Sequence, residues 1–234
     1  MKYFAVLIAL LSWNTYSESR AKVVIIDSGI SKIQSLQKYM CKNGNLNFTR
    51  SKNSYDEDGH GTNILSIISK TINSKTQCVI SAKVWHPKIN AYETIDATIL
   101  AMHLANRIRA KFVNISMSGT YFGKKEFDVI KKFIINGGVL TVAAGNNSSN
   151  LDKKCNAFPA CYRKLLPYKN FHVVGASDTG SSNYGKVVTD IEKGSNVGFP
   201  VMSGTSQASA VKMSKILKLM VLSNKGGEII WMVN

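Results

Sequence analysis

Residues 23 to 30 read V-V-I-I-D-S-G-I. The unbroken apolar run Val23 to Ile26 suits a strand buried on both faces of a parallel sheet, where no polar alternation is needed. Asp27 stands at the C-terminal end of that strand, the edge of an open parallel sheet at which ligand sites gather. Further strand-like runs follow at Cys78 to Val84, Phe112 to Ser116, Val139 to Ala143 and Phe171 to Val174. Between them apolar residues recur at helical spacing: Ile64, Leu65 and Ile68, then Ile95, Ile99, Met102 and Ala105. Phe127, Ile130, Phe133 and Ile134 mark another helix, stopped by Asn136, Gly137 and Gly138. After Ser206, the residues Met213, Ile216, Leu217 and Met220 form one more apolar helical face. Strands alternating with helices predict an α/β fold, a doubly wound, mostly parallel sheet with helices on both faces. The last residues, E-I-I-W-M-V-N, are expected to form a closing strand or a packed tail.

Two further glycine-flanked segments carry reactive side chains. D-G-H-G-T places His60 in a tight turn before a helix, and S-G-T-S-Q-A-S-A, residues 203 to 210, places Ser206 at the start of another. A serine hydroxyl is a poor nucleophile until an imidazole takes its proton, and the imidazole needs a carboxylate to fix its tautomer and stabilise its charged form. Each segment alone is common, but the ordered set Asp27, His60, Ser206 is specific. Two more segments lie between them, V-N-I-S-M-S-G at 113 to 119 and V-L-T-V-A-A-G-N at 139 to 146.

Together these motifs resemble the subtilases, the subtilisin-like serine proteases, over roughly residues 21 to 222. The resemblance implies an endopeptidase working through an acyl-enzyme, with Asp27, His60 and Ser206 as catalytic residues. It implies an oxyanion hole made by the Asn146 amide and the backbone N–H of Ser206 at a helix N-terminus. It also implies that a peptide substrate pairs with Ser116, Met117, Ser118 and Gly119 as an added strand, while Ala143, Ala144, Gly145 and Ala157 wall the primary specificity pocket. Ser118 replaces a usual glycine and is expected to narrow that pocket. Ala210 stands where the family usually has proline, and Asn63 where many members have a second histidine. His86, His103 and His172 have no catalytic context. The rival readings are a catalytically silent binding module of this fold, and a basic envelope-binding protein whose charge is its function. A general base must be neutral to act, so activity is expected to fall on acidification near the ordinary imidazole value of about 6.5.

Residues 1–19 read as a signal peptide, with Lys2 before an apolar run from Phe4 to Trp13 and cleavage near Ser19. Residues 20–234 then form one peptidase domain, secreted or periplasmic. The stretch from Ser19 to Asp27 must supply the first strand and leaves no room for an inhibitory domain, so unaided folding or a partner in trans is expected. With 44% hydrophobic and 19% charged residues, the chain reads as globular. In an oxidising compartment Cys41, Cys78, Cys155 and Cys161 favour disulfides over thiols, and their spacing resembles no zinc site. Three pairings are open, with Cys41–Cys78 and Cys155–Cys161 favoured. No cofactor is expected; Asp56, Glu57 and Asp58 offer carboxylates for calcium, but not at a recognised loop spacing. The formal charge of +16 favours anionic surfaces. The basic residues are scattered, and no nucleic-acid motif accompanies them. A monomer acting on polypeptides is the expected state.

Overall fold

The computed structural model describes residues 19–223. The expected signal peptide, apart from Ser19, and the tail from 228 to 234 lie outside the described residues. The order of elements is β1 (Ala21–Asp27), α1 (Gln34–Gln37), β2 (Met40–Asn47), α2 (His60–Ile68), β3 (Gln77–Lys83), α3 (Ala91–Arg107), β4 (Phe112–Ile115), α4 (Lys124–Ile135), β5 (Val139–Ala143), β6 (Phe171–Ala176), β7 (Asp190–Glu192) and α5 (Thr205–Ser223). The strands form one seven-stranded sheet in the order β2-β3-β1-β4-β5-β6-β7, and every neighbouring pair is parallel. The α/β, doubly wound sheet expected from the sequence is the fold observed.

Strand β1 shows why its apolar run is continuous. Val23 and Ile25 join Ile64, Leu65 and Ile68 of α2 and Met213 and Leu217 of α5 in one core layer. Val24 and Ile26 join Ala101, Met102 and Ala105 of α3 and Ile130, Phe133 and Ile134 of α4 in the other. Successive side chains of a strand point to opposite faces, and here both faces are covered. Every residue from Val23 to Ile26 is consequently buried.

Helix α3 is turned differently from its expected face. Ala97, Thr98, Ala101, Met102 and Ala105 are buried, whereas Ile95 and Ile99 are only partly covered. Small residues let the helix lie close, and Ile95 is freed to line a surface cavity. Two edge strands, β2 and β7, carry no apolar run. The cysteines pair as favoured, Cys41 with Cys78 and Cys155 with Cys161. The first bond ties edge strand β2 to β3, and the second closes the short loop that follows Asn150.

Candidate active site

Asp27 and His60, and Asn146 and Ser206, form two pairs of neighbours at the C-terminal edge of the sheet, where β1 and β4 end side by side. Asp27 ends β1. Its Oδ1 accepts hydrogen bonds from Ser28 N at 2.7 Å and lies 2.8 Å from His60 Nδ1. His60 opens α2, brought to Asp27 by a backbone approach that only glycine permits. A Cβ on Gly61 would stand 2.1 Å from the Gly29 carbonyl oxygen and 3.2 Å from the Asp27 Cβ.

The loop before His60 is fastened by two side chains. Asp56 accepts hydrogen bonds from Ser28 Oγ at 2.9 Å, Gly59 N at 2.8 Å and Thr62 N at 2.8 Å. Burial works to raise its carboxyl, but the bonds from Thr62, Gly59 and Asp58 outweigh burial and hold it below the usual range. Lys83, fully buried at the end of β3, donates to the Tyr55 carbonyl and to Glu57, each at 2.8 Å. The carboxylates of Asp56 and Glu57 are thus engaged by protein donors, while Asp58 lines the surface cavity. Among the described residues no group of three or more His, Cys, Asp or Glu side chains could hold a metal ion.

His60 is surrounded by negative charge. The Asp27 carboxylate is the largest influence on it, burial opposes, and the hydrogen bond to Asp27 with the charges of Asp58 and Asp56 adds to the first effect. Its pKa is pushed up to about 9, well above the ordinary imidazole value.

Ser206 sits in the first turn of α5. Its Oγ donates to the Ser116 carbonyl at 2.8 Å, so the hydroxyl proton is directed to the residue that follows β4. The buried side chain of Asn114 binds Thr141 Oγ1 and Ser209 Oγ, each at 2.8 Å, and locks α5 against β4 and β5. On the other side, Asn146 Oδ1 accepts from Thr205 N at 2.9 Å and Thr205 Oγ1 at 3.0 Å. With its oxygen so engaged, the amide presents Nδ2, which has no partner among the described residues, beside the Ser206 N–H of the first turn.

Gly145 and Ala157 meet, since a Cβ on Gly145 would lie 3.5 Å from the Ala157 methyl. The loop carrying Gly145 and Asn146 is shaped by Asn183, whose Nδ2 donates to the Ala144 carbonyl at 2.9 Å. Asn183 Oδ1 accepts from Asn147 N and Ser149 N. Gly145 has φ +96°, and a Cβ there would come within 2.5 Å of Asn183 Nδ2. Ala143 and Ala144 are buried behind this turn.

The expected substrate strand is shorter than its motif. Gly119 uses both its N–H and its C=O, at 2.8 Å each, in an antiparallel bridge to Phe158. Met117 and Ser118, between that bridge and Ser116, make no backbone–backbone hydrogen bond among the described residues. Ser118 is exposed and lines the cavity beside the site. Asn63, in the position where many family members carry a histidine, is a fully buried clasp. It donates to the Val197 and Pro200 carbonyls and accepts from Gln207 at 3.0 Å, fixing the loop before Ser206.

The subtilase family pattern matches residues 18–221, and the chain belongs to that family. Among solved structures it resembles a cold adapted subtilisin-like serine proteinase, at 21% identity over 88% of this chain and 77% of the other, TM-score 0.68. A lanthipeptide protease matches at 18% identity over 88% and 74%, TM-score 0.71. MycP1 with its N-terminal propeptide removed matches at 18% over 86% and 78%, TM-score 0.65. These likenesses concern the fold. Comparison with curated proteins gives no match. Family membership supports a serine protease, whose substrates are polypeptides.

Proposed function

We propose that the protein is an exported serine endopeptidase acting through an acyl-enzyme. The observation that carries this reading is the Asp27–His60 bond of 2.8 Å at the end of β1, on the same edge of the sheet as a helix start that offers Ser206 beside the Asn146 amide. A peptide lies along Met117 and Ser118, its first residue before the scissile bond toward the wall of Gly145 and Ala157. Ser206 Oγ turns from the Ser116 carbonyl to neutral His60, which takes the hydroxyl proton as Oγ bonds to the scissile carbonyl carbon. Negative charge gathers on the carbonyl oxygen, where Asn146 Nδ2 and the Ser206 N–H stabilise it. His60 then passes its proton to the leaving amine, and water releases the acyl group by the reverse sequence. Asp27 orients the imidazole and stabilises its charged form throughout. The two disulfides and the apolar leader support export.

The bond from Ser206 to Ser116 favours a second reading, a silent module whose hydroxyl proton is held by a backbone carbonyl. One experiment separates the two. A fluorophosphonate probe should label the purified mature protein at Ser206. Ser206→Ala should abolish labelling and lower turnover about a million-fold, the scale of the corresponding change in subtilisin. An unlabelled parent protein that hydrolyses no peptide would favour the silent module.

A further inference from the structure

The cations are scattered along the chain, but the fold sorts the anions. Every Asp and Glu among the described residues lies at or just beyond the C-terminal end of a strand, in the first two turns of α3 or α4, or on β7 level with the last residues of β6. The segments that form the opposite, N-terminal edge of the sheet are residues 19–22, 69–78, 107–112, 131–139 and 164–171, and they contain no Asp or Glu. They carry the exposed Lys75, Arg107, Arg109, Lys132 and Lys169. None of these pairs with a carboxylate among the described residues. The seven residues of β1 hold the two edges about 20 Å apart. That distance exceeds two Debye lengths of about 8 Å at physiological salt, so the carboxylates around His60 do not cancel the field at the cationic edge.

These segments form one continuous surface. Arg20 donates to the Ser74 carbonyl at 3.1 Å and the Ala21 N–H to the Thr76 carbonyl at 2.8 Å, joining the loop of Lys75 to the start of β1. The Lys111 N–H donates to the Lys22 carbonyl at 3.2 Å, and its Nζ to the Gly137 carbonyl at 3.0 Å. Asn170 Nδ2 donates to the carbonyls of Ile134 and Gly138 at 2.9 and 2.7 Å, which fastens the loop of Tyr168 and Lys169 to the end of α4. Helix dipoles account for part of the charge, since Arg107 and Lys132 lie in the last turns of α3 and α4. A helix end carries only about half a negative charge, so the helices that finish here leave the edge strongly positive.

Apolar side chains project from the same edge. Ile135, the last residue of α4, is 53% exposed, and Tyr168, next to Lys169, is 41% exposed. A polyanion in water offers little to an exposed isoleucine. An anionic bilayer takes up both kinds of group, lysine and arginine at its phosphates and aliphatic or aromatic side chains at the headgroup boundary. We propose that the N-terminal edge of the sheet is a docking surface for an anionic lipid bilayer, with Ile135 and Tyr168 entering the headgroup layer. Asp27, His60 and Ser206 lie at the opposite edge, so a docked molecule turns them away from the lipid. The proposal concerns binding alone and does not depend on the protease reading.

Flotation of the mature protein with vesicles tests this, using phosphatidylcholine alone or with about 30% phosphatidylglycerol at physiological salt. The anionic vesicles should bind about a hundredfold more tightly or better, and less so as salt rises. A cation near such a surface is worth about fivefold in affinity, so the combined change Lys75→Gln, Arg109→Asn, Lys132→Gln and Lys169→Gln should cost about a hundredfold or more. Asparagine suits position 109, where φ is +52°. Lys52→Gln, Lys88→Gln, Lys125→Gln and Lys153→Gln together remove the same charge from exposed positions elsewhere, and should cost about threefold or less. Equal losses in the two variants would overturn the proposal by making net charge the cause, as would equal binding of the parent protein to both kinds of vesicle. The combined change Lys75→Arg, Lys132→Arg and Lys169→Arg keeps the charge and should bind as the parent does; loss of binding there would also overturn it. Ile135→Ser with Tyr168→Ser should weaken vesicle binding about tenfold while leaving binding to double-stranded DNA, a polyanion without an apolar layer, within about twofold. Vesicle binding unchanged in that variant would overturn the lipid assignment and make the edge a general polyanion site.

Discussion

His60 and His172 each hold an aspartate through Nδ1, at 2.8 Å from Asp27 and 2.9 Å from Asp190, and their side chains are similarly covered. Their surroundings differ in three ways. His60 opens a helix at the C-terminal edge of the sheet, whereas His172 lies near the start of β6, level with Thr141 of β5. Among the described residues no lysine or arginine pairs with Asp27, while Asp190 is also bound by Lys212 at 2.5 Å and by Thr189 at 2.7 Å. Asp56 and Asp58 add negative charge around His60. One pair thus faces a cavity with further carboxylates around it, and the other is held within a structural network of cations. A histidine–aspartate contact alone does not make a proton shuttle; the strand end it occupies and the charges left over decide its use.

Replacing each aspartate should separate the pairs most sharply. Asp27→Asn is expected to lower kcat by about ten-thousand-fold, since the imidazole loses its tautomer control and charge partner, the scale seen for the same change in a chymotrypsin-type triad. Asp190→Asn should change kcat by about threefold or less, because nothing it binds reaches the reacting atoms. Steady-state kinetics on one peptide substrate measures both. Comparable losses in the two variants would mean that the His172 network supports the site directly.

The oxyanion donors belong to the first pair only, and their loss gives the next effect. Asn146→Ala should reduce kcat by roughly a hundred- to a thousand-fold with little change in KM. A loss seen in KM alone would show that the amide binds ground state and transition state alike.

Charge around His60 sets the pH dependence. The base must be neutral, so kcat/KM should be low at neutral pH and rise through about 9, where His60 gives up its proton. Asp58→Asn should move the midpoint down by removing one raising charge, and Asp190→Asn should leave it in place. The sign for stability is opposite. A histidine whose folded pKa is raised stabilises fully below its unfolded value of about 6.5 and loses that contribution as pH rises through about 9. Activity should therefore appear over the same interval in which the Asp27–His60 pair stops stabilising the fold. Rate profiles and melting temperatures from pH 5 to 10.5 test this, and a rate midpoint near 6.5 would contradict it.

Much of this comparison can be read in the sequence, and the reason is local. Asp27, His60 and Ser206 each sit beside glycines that allow backbones to approach, so the motif and the geometry share one cause. The five central strands announce themselves because burial on both faces demands continuous apolar runs. Edge strand β2, M-C-K-N-G-N-L-N, is half polar and shifts register between Met40 and Asn45, so no period marks it. Asp56, Lys83, Asn63 and Asn183 were hidden for another reason. Asn63 meets Val197, Pro200 and Gln207 more than a hundred residues away, and Asn183 meets Ala144 across 39. Such partners exist only once the sheet has brought distant loops to one edge. At the last residue of the motif at 116–119, nothing in Gly119 itself reveals that Phe158 takes both its backbone groups. Ile95 and Ile99 misled through size, because the alanines and threonine between them pack closer to the sheet.

The second pair should show itself in stability. Burial alone would raise the Asp190 carboxyl, but hydrogen bonds from His172, Lys212 and Thr189 outweigh it and hold the pKa well below the usual aspartate range. A carboxylate depressed in this way stabilises fully above its unfolded value of about 3.9, and the contribution disappears as pH falls through the lower folded value. Strand β7 contains only Asp190, Ile191 and Glu192, and Glu192 is bound in turn by Lys215 of α5. Two lysines of one helix thus fasten this edge of the sheet by its carboxylates. Asp190→Asn leaves Lys212 without its anion, and should cost about 1–2 kcal/mol at pH 7 after allowance for the partial exposure of the network. The deficit should shrink on acidification below pH 4, where the parent protein begins to lose the same interaction. Denaturant unfolding of parent and variant at pH 7, 5 and 3 measures it. A deficit that stayed constant over that range would assign the cost to packing at β7 instead of to charge.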